Sequence, residues 1–154
     1  MIIRKAQLED LNSIVSIIND SDIGSVYFKN EKEKIEMLMV DEVNQQNIFI
    51  GENSDLECIA VLNYRLNGAF CIHPYIHILA VSDENRGQGY GRQLMSYFEN
   101  IIAPDYKKIF LLVGKWNKGA EKLYTNLGYN RLCEIEGFYS ENVTEILMMK
   151  EKKK

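Results

Sequence analysis

The stretch at residues 75–102, YIHILAVSDENRGQGYGRQLMSYFENII, constrains the fold of this chain more than any other. Residues 76–81 form a short apolar run rich in β-branched side chains, which predicts a buried strand. Beyond the polar residues 82–85, glycines alternate in residues 86–91, and apolar residues then recur at helical spacing until Pro104 stops the helix. The sequence therefore predicts a glycine-rich turn between a buried strand and the start of a helix.

Such a turn is a place where an anion can bind. The first backbone N–H groups of a helix have no partner within it, and the helix dipole is positive there. Glycine tolerates positive φ and lets a bulky ligand approach the backbone, so a phosphate or pyrophosphate is the expected ligand. Arg86 and Arg92 flank the turn and can add charge-assisted contacts. The alternative is a tight turn without a ligand, but three alternating glycines between two arginines are more than a turn needs.

Two familiar phosphate-binding loops fit this segment poorly. A Walker loop ends in Gly-Lys-Ser/Thr, which is absent here. A dinucleotide fingerprint needs GxGxxG after an early strand, whereas this chain has GxGxG beyond its middle. The anion is therefore expected to belong to another class of ligand.

Residues 86–91, RGQGYG, resemble the Gln/Arg-x-x-Gly-x-Gly/Ala signature of the GNAT superfamily of acyl-CoA-dependent N-acetyltransferases. A second segment, VGKWNKGAEKLYTNLGY, is similar to the family pattern Asn-x-x-Ala-x-x-Leu-Tyr-x-x-x-Gly-Phe, with Tyr129 in the last place. The opening IRKAQLEDLNSIVSIIN resembles the usual strand-then-helix start of the family. The resemblance therefore covers nearly the whole chain.

The resemblance implies an α/β fold with three layers, in which a mixed, mostly antiparallel central sheet carries helices on both faces. A parallel pair of strands, at residues 76–81 and 108–114, would splay apart at the cofactor site. The length of 154 residues suits one domain over residues 1–150, with a frayed lysine-rich tail at residues 151–154. We also expect a polar loop at residues 20–30 and a tight hairpin turn at Asn67-Gly68.

The family uses acetyl-CoA as acyl donor, and the resemblance implies the same cofactor here. The glycine-rich loop and the helix start would hold the pyrophosphate of coenzyme A, and the preceding strand would pair with its pantetheine arm. Asn117, which can also cap the next helix, would bind the pantetheine or its neighbourhood. The predicted cofactor-binding residues are Leu79, Ala80, Val81, Arg86, Gly87, Gln88, Gly89, Tyr90, Gly91, Arg92 and Asn117.

Acyl transfer from a thioester to an amine needs donors for the oxyanion and an acid for the departing thiolate. The N–H of Val81 is the candidate oxyanion donor because of its place in the splayed strand. Tyr124 matches the tyrosine acid of the family, and a phenol with an ordinary pKa of about 10 is protonated at neutral pH. From periodicity alone, Tyr124 is one more aromatic residue on an amphipathic helix.

The amine also needs a base, and the central strand carries no carboxylate where some family members have a glutamate. His77 is the candidate because its pKa lies near neutrality, although a single histidine in an apolar strand is often a core residue. Tyr75, Glu134, Glu136 and a water chain remain alternatives. The predicted catalytic residues are thus Tyr124 and His77.

The predicted acceptor-binding residues are Tyr27, Phe28 and Tyr75. In the family, the region that contains Tyr27 and Phe28 forms one wall of the acceptor site; the alternative is plain packing. The subgroup that acetylates protein N-termini carries a Tyr-Tyr pair near its end, where this chain has Phe138-Tyr139. We therefore expect a primary amine of a small molecule or amino acid as acceptor. A protein N-terminus or lysine, a catalytically decayed coenzyme A sensor, and a nucleotide-binding protein are the alternatives.

Composition limits the remaining classes. The formal net charge of -4 argues against broad nucleic-acid binding. The three cysteines lack a CxxC pair, so neither a disulfide framework nor a metal site is expected, and Cys58 and Cys133 are expected in the core. Without an apolar leader or a run of membrane-spanning length, we expect a cytoplasmic protein with no membrane partner. A homodimer is one expected assembly, since dimers are common in the family.

Overall fold

The computed structural model describes residues 1–152. Its strands are β1 (Ile2–Lys5), β2 (Ile48–Glu52), β3 (Cys58–Ala69), β4 (His73–Val81), β5 (Lys108–Gly114), β6 (Asn130–Glu136) and β7 (Thr144–Glu151). Its helices are α1 (Leu11–Asn19), α2 (Asp22–Phe28), α3 (Lys32–Asn44), α4 (Tyr90–Tyr97) and α5 (Lys118–Asn126). The strands form one sheet in the order β1-β2-β3-β4-β5-β7-β6, with β4 and β5 parallel. The predicted mixed sheet with one parallel pair is confirmed.

The chain divides into two compact units. The first, which we call the N-terminal unit, comprises residues 1–63 and 78–102. The second, which we call the C-terminal unit, comprises residues 64–77 and the chain from Ala103 onward. The strands β3 and β4 each contribute residues to both units.

Helices pack on both faces of the strands in the N-terminal unit. One face buries apolar side chains of β2, β3 and β4 against α1 and α3, where the core includes Ile14, Ile18, Ile35, Met39, Ile48, Ile50, Val61, Ile78 and Ala80. On the other face, the ring of Phe49 in β2 meets the ring of Tyr97 in α4 edge to face, with centroids 5.3 Å apart. This arrangement follows from the alternation of side chains along a strand.

The segment at residues 20–30 contains α2 and is not the loop that the sequence predicts. Ser21 caps this helix, since its side chain accepts a hydrogen bond from the N–H of Gly24 at 3.4 Å. A Cβ atom at Gly24 would collide with the backbone carbonyls of Ile18 and Asn19. The glycine, which suggests a loop in the sequence, instead lets α2 pack directly against the end of α1.

The hairpin between β3 and β4 also turns at a different place from the prediction. β3 continues through Asn67 and Gly68 to Ala69, and the turn is made by Phe70 and Cys71, with φ of 54° and 62°. Gly68 serves close packing within the hairpin, because a Cβ atom there would lie 2.8 Å from Cβ of Tyr75. Glycine at this position therefore meets a packing requirement within β3 and does not mark the turn.

In the C-terminal unit, β7 pairs antiparallel with both β5 and β6. Register and alternation place Phe110, Leu112, Gly114, Glu145, Leu147 and Met149 on one side of β5 and β7, which we call the Phe110 face. Tyr75 joins this face, because it packs in one cluster with Phe110, Leu112 and Leu147. β7 runs through Glu151, and the N–H of Lys152 donates to the carbonyl of Lys107 at 2.7 Å, so a frayed tail does not begin at residue 151. The rest of the predicted tail, residues 153–154, lies outside the described residues.

The three cysteines are free thiols, and only Cys58 is even half-buried. Burial raises the pKa of the Cys58 thiol to about 12. The expectation that Cys133 lies in the core is wrong, because β6 is an edge strand and Cys133 is exposed.

Candidate active site

The glycine-rich segment lies in the N-terminal unit, between a short 3₁₀ helix (Asp83–Asn85) and α4. Gly87 and Gly89 have φ of 75° and 84°, which is the left-handed region that glycine adopts without strain. A Cβ atom at either position would meet no atom within 4 Å. Glycine is therefore required here by the backbone conformation and not by crowding, and the space beside the loop is open.

The loop ends at the N-terminus of α4, where Gly89 is the capping residue and no side chain caps the helix. The N–H groups of the first helical turn, which begins at Tyr90, Gly91 and Arg92, have no partners within a helix. They can donate to an anion, and the helix dipole adds positive potential at the same point. The Gln88 side chain turns back instead, since its Nε2 donates to the carbonyl of Glu84 at 3.3 Å. The open loop and the uncapped helix start fit a pyrophosphate.

The two arginines of the segment differ in their contacts. Arg86 Nη2 lies 2.9 Å from Asp83 Oδ1, and its Nη1 lies 3.9 Å from Asp22 Oδ2 at the start of α2. Its Nε also donates to the carbonyl of Val81 at 3.4 Å. Arg92 is exposed and forms no ion pair with any of residues 1–152. Arg92 is thus available to an anion as it stands, whereas Arg86 would exchange an aspartate for it.

The last residues of β4 precede this loop. The ladder between β4 and β5 consists of two residue pairs, Tyr75 with Phe110 and Ile76 with Leu111. Residues 79–81 lie beyond this ladder. The edge of β4 that faces β3 is still paired there, since the N–H of Ser82 donates to the carbonyl of Ile59 at 2.9 Å. Within the described chain, no strand pairs with residues 79–81 on the other edge of β4. Because backbone groups alternate along a strand, those of Leu79 and Val81 face that edge and can bind an extended ligand, whereas those of Ala80 face β3.

The helix α5 in the C-terminal unit carries Asn117 and Tyr124. Asn117 caps the helix, since its Oδ1 accepts a hydrogen bond from the N–H of Ala120 at 3.0 Å, so the predicted N-cap is confirmed. Tyr124 is buried and meets Tyr129 edge to face, with ring centroids 5.9 Å apart. Burial raises the pKa of Tyr124 above its ordinary value, so the phenol stays protonated at neutral pH. A protonated phenol is the form of the side chain that can donate a proton.

A polar cluster lies on the Phe110 face of the C-terminal unit. The Tyr75 hydroxyl is 3.1 Å from the Tyr139 hydroxyl, and its ring meets the His77 ring edge to face at 4.4 Å between centroids. His77 is exposed, so it is not a core histidine. Burial, then the neighbouring Tyr139, raises the pKa of Tyr75 well above its usual range, so its phenol stays protonated at neutral pH and cannot accept a proton. His77 is the better candidate of the two for proton removal.

Tyr27 and Phe28 lie at the end of α2 in the N-terminal unit, and both are half-buried. Phe28 packs against the core between α1 and α3. Packing is therefore part of its role, and contact with an acceptor remains a prediction for both residues.

The sequence matches the model of the acetyltransferase (GNAT) family over residues 11–129. The chain belongs to the GNAT acetyltransferase family. The match includes the glycine-rich loop, the end of β4 and α5, whereas Tyr139 lies beyond it. A search of curated protein sequences finds no match.

Solved structures share the fold of this GNAT chain. A GNAT-family acetyltransferase from Bacillus cereus has a TM-score of 0.77 at 20% identity, over 99% of this chain and 98% of that one. A ribosomal-protein-alanine N-acetyltransferase from Brucella melitensis has 0.77 at 16%, over 99% and 100%. A spermidine N-acetyltransferase SpeG chimera from Vibrio cholerae and hSSAT has 0.73 at 16%, over 98% and 96%. At these identities the likeness concerns the fold, and the acceptors of these proteins differ from one another.

Two residues of this GNAT protein were not placed in the site by sequence reasoning. Tyr139 lies in the connection between β6 and β7 and meets Tyr75 only through the tertiary structure. Glu145 is 1% exposed and lies on the Phe110 face next to Gly114 in register. A sequence signal did exist for Glu145, since it is a charged residue that alternates with Leu147 and Met149 along an apolar strand.

Other kinds of site find no support in the part of this GNAT chain that the structure describes. No cluster of three or more His, Cys, Asp or Glu side chains there could hold a metal ion. None of the helices within residues 1–152 has the length and apolarity needed to cross a membrane.

Proposed function

We propose that the protein transfers an acetyl group from acetyl-CoA to a primary amine of a small molecule or amino acid, by direct attack of the amine. The observation that supports this most is the glycine-rich loop, because two left-handed glycines and an uncapped helix N-terminus leave an open cradle for a pyrophosphate. The family match raises the same expectation for acetyl-CoA over a free nucleotide.

In this proposal the loop residues 86–92 hold the pyrophosphate through backbone N–H groups, Arg86 and Arg92. The free edge of β4 at residues 79–81 pairs with the pantetheine arm, and the Asn117 amide contacts the same arm while its oxygen caps α5. Acetyl-CoA supplies an activated thioester, which an amine can attack once it has lost its proton.

The residues of the chain then supply the proton transfers. His77 takes the proton of the acceptor ammonium, because an imidazole is partly neutral near pH 7. The N–H of Val81 donates to the oxyanion that forms when the amine adds to the carbonyl. Tyr124 donates its proton to the departing sulfur, which its raised pKa leaves available at neutral pH.

Calorimetric titration with acetyl-CoA tests the cradle. The parent protein should bind in the micromolar range, and Gly89→Glu should weaken binding by more than about 100-fold, because it places a carboxylate at the proposed pyrophosphate position. Gly128→Glu is the matched control, since Gly128 also has a left-handed φ, of 92°, and lies at the end of α5. It should leave the affinity within about twofold.

A panel of primary amines and peptides, assayed for release of free coenzyme A, then identifies the acceptor class. Turnover of small amines supports the proposal, whereas turnover of peptides alone would assign a protein acceptor. Binding of acetyl-CoA without turnover of any acceptor would point to a sensor. Absence of acetyl-CoA binding to the parent protein would overturn the function as a whole.

A further inference from the structure

The edge strand β6 contains a β-bulge that changes the direction of its charged side chains. Its register with β7 shifts by one residue at Leu132, which is the extra residue of the bulge. Arg131, before the bulge, pairs with Met148 in β7. Glu134, after the bulge, pairs with Ile146, which is two residues from Met148 and therefore on the same face. In a regular strand, residues three apart would point to opposite faces, so the bulge brings Arg131 and Glu134 to one face, opposite the Phe110 face.

On that face, the two residues form an ion pair, and each of them also reaches another element. Arg131 Nη2 lies 2.7 Å from Glu134 Oε1, and Arg131 Nε lies 3.4 Å from Glu121 Oε1 in α5. Lys115 Nζ, directly after β5, lies 2.7 Å from Glu134 Oε2. Lys118 Nζ, at the start of α5, lies 3.1 Å from Glu121 Oε2. These five residues alternate in charge, and we call them the charge chain; their order is Lys115, Glu134, Arg131, Glu121 and Lys118.

The charge chain surrounds the beginning of α5. Lys115 is two residues before Asn117, the cap of the helix, and its backbone N–H also donates to the carbonyl of Thr144 at 2.8 Å. Glu121 is three residues before Tyr124, so the two side chains are neighbours on the surface of α5. The chain therefore ties to β6 both the connection that leads into α5 and the helical turn that precedes Tyr124.

The link between Glu121 and Arg131 is the strongest part of this arrangement. Ion pairs between exposed side chains contribute little to stability, because water screens them. The side chain of Glu121 is only 15% exposed, whereas those of Arg131 and Glu134 are 48% and 40% exposed. The charge of Glu121 is therefore screened less than the others. Loss of Arg131 would leave this carboxylate largely covered and without its contact to the sheet.

The charge chain also bears on Glu134, one of the alternative bases. The hydrogen bond from Lys115, then its charge and that of Arg131, lower the pKa of Glu134 below its ordinary value. A carboxylate with a lowered pKa is a weak base, and both of its oxygens are engaged by these two cations. The contacts of Glu134 thus favour a structural role.

We propose that Arg131 and Glu121 are positioning residues, which hold α5 so that the Tyr124 hydroxyl and the Asn117 amide keep the places that acyl transfer requires. Neither residue touches a substrate in this arrangement, and both act through α5. A displacement of a reacting group by about 1 Å lowers the rate of a reaction strongly. The inference rests on the proposed function, because it concerns the groups that the same reaction uses.

Hydrogen exchange followed by mass spectrometry tests the hold on α5 without any substrate. In Arg131→Met, which keeps an unbranched apolar stem, the amides of residues 120–126 should exchange about fivefold faster than in the parent protein. Lys122→Met is the matched control, since Lys122 is exposed on α5 and forms no ion pair within residues 1–152. It should leave these exchange rates within about twofold. Parent-like exchange in Arg131→Met would overturn the proposal.

Steady-state kinetics measure the consequence for the reaction. Arg131→Met should lower kcat about tenfold, while calorimetry should find the affinity for acetyl-CoA within about threefold of the parent value, because the Asn117 cap remains. Glu121→Gln should lower kcat similarly, which gives a test even where Arg131→Met does not fold. The double variant should be no slower than either single variant, because both break one link. Decreases that multiply in the double variant would contradict that link.

A conservative substitution separates the charge of Arg131 from its shape. Arg131→Lys keeps the positive charge, but an ammonium group does not offer the planar fork that contacts two carboxylates at once. Its kcat should therefore lie between those of the parent protein and Arg131→Met. A kcat of Arg131→Lys below that of Arg131→Met would contradict a role for the positive charge.

The same samples separate this inference from the proposed function. Failure of the parent protein to bind acetyl-CoA would overturn the proposed function, while faster exchange in Arg131→Met would still support the hold of β6 on α5. Normal binding and turnover by the parent protein, with a parent-like kcat in Arg131→Met, would overturn only the positioning role.

Discussion

The glycine-rich loop of the N-terminal unit and the Phe110 face of the C-terminal unit are built in opposite ways. The loop is a run of neighbouring residues whose chemistry lies in backbone N–H groups, and Gly87 and Gly89 matter because they have no side chain. The Phe110 face gathers side chains from positions between 75 and 149, carried by the strands β4, β5 and β7. One region depends on backbone conformation, and the other depends on register.

This difference decides what a sequence can reveal about each region. A left-handed backbone conformation leaves a local mark, because glycine is the residue that adopts it without strain. A set of side chains on one face of a sheet leaves no local mark, because a shift of register by one residue would send every one of them to the other face. The difference between the two regions also predicts different consequences of mutation. Substitutions in the loop should change the affinity for acetyl-CoA, whereas substitutions at the proposed catalytic residues of the C-terminal unit should change kcat.

Tyr124→Phe is the sharpest test of that division. Removal of the hydroxyl should lower kcat by about 100-fold or more, because the departing thiolate loses its proton donor. The affinity for acetyl-CoA, measured by calorimetry, should stay within about twofold of the parent value. Tyr129→Phe is the matched control, since Tyr129 is also a buried tyrosine that contacts Tyr124. A similar kcat for both variants would remove Tyr124 from the mechanism.

Two glycine-to-alanine substitutions test whether the loop needs glycine because of its left-handed backbone conformation. Gly87→Ala should lower the free energy of unfolding by about 1–2 kcal/mol, because φ is 75° there although no atom crowds a Cβ. Gly119→Ala, inside α5 with only Asn117 Oδ1 at 3.9 Å, should raise it by about 0.5–1 kcal/mol. Urea unfolding measures both. Equal effects of the same sign would mean that Gly87 is not held in the left-handed conformation.

Most of the fold was predictable because apolar periodicity is strong where an element is buried. The parallel pairing of β4 with β5 followed from the helical connection between two apolar runs, and the structure confirms it. Two of the errors, at residues 20–30 and at the β3–β4 turn, share a cause. Gly24 and Gly68 suggest a loop and a turn, but both glycines serve close packing inside regular elements. Glycine marks either a special φ or a close approach, and the sequence alone does not separate the two.

The candidate site shows the same limit. The loop at residues 86–91 is visible as a motif, and the N-cap role of Asn117 follows from its place before a helix. The Tyr75–Tyr139 contact and the position of Glu145 opposite Gly114 depend on strand order and register. These emerge only from the three-dimensional structure, because residues far apart in sequence meet there.

Asn117 belongs to both kinds of region, since it caps a helix and is also expected to contact the pantetheine. Asn117→Ala should lower the free energy of unfolding by about 1 kcal/mol through loss of the cap, whereas Asn117→Asp keeps an oxygen acceptor and should be nearly neutral. Aspartate cannot donate an amide N–H, so both variants should bind acetyl-CoA about fivefold more weakly. Calorimetry and urea unfolding separate the two roles, and parent-like binding by Asn117→Asp would leave Asn117 with the cap alone.

The smallest expected effect is an absence of change at alkaline pH. Tyr124 must be protonated to donate, so activity falls as pH rises through its pKa, and burial moves that pKa above the ordinary value of about 10. With an acceptor amine whose own pKa lies below about 8, kcat should therefore stay flat from about pH 8 to pH 10. The measurement uses saturating substrates and subtracts the enzyme-free hydrolysis of the thioester. A tenfold fall per pH unit within that range would show that the proton donor is a less buried group than Tyr124. The acid that protonates the departing thiolate would then have to be sought elsewhere in the chain.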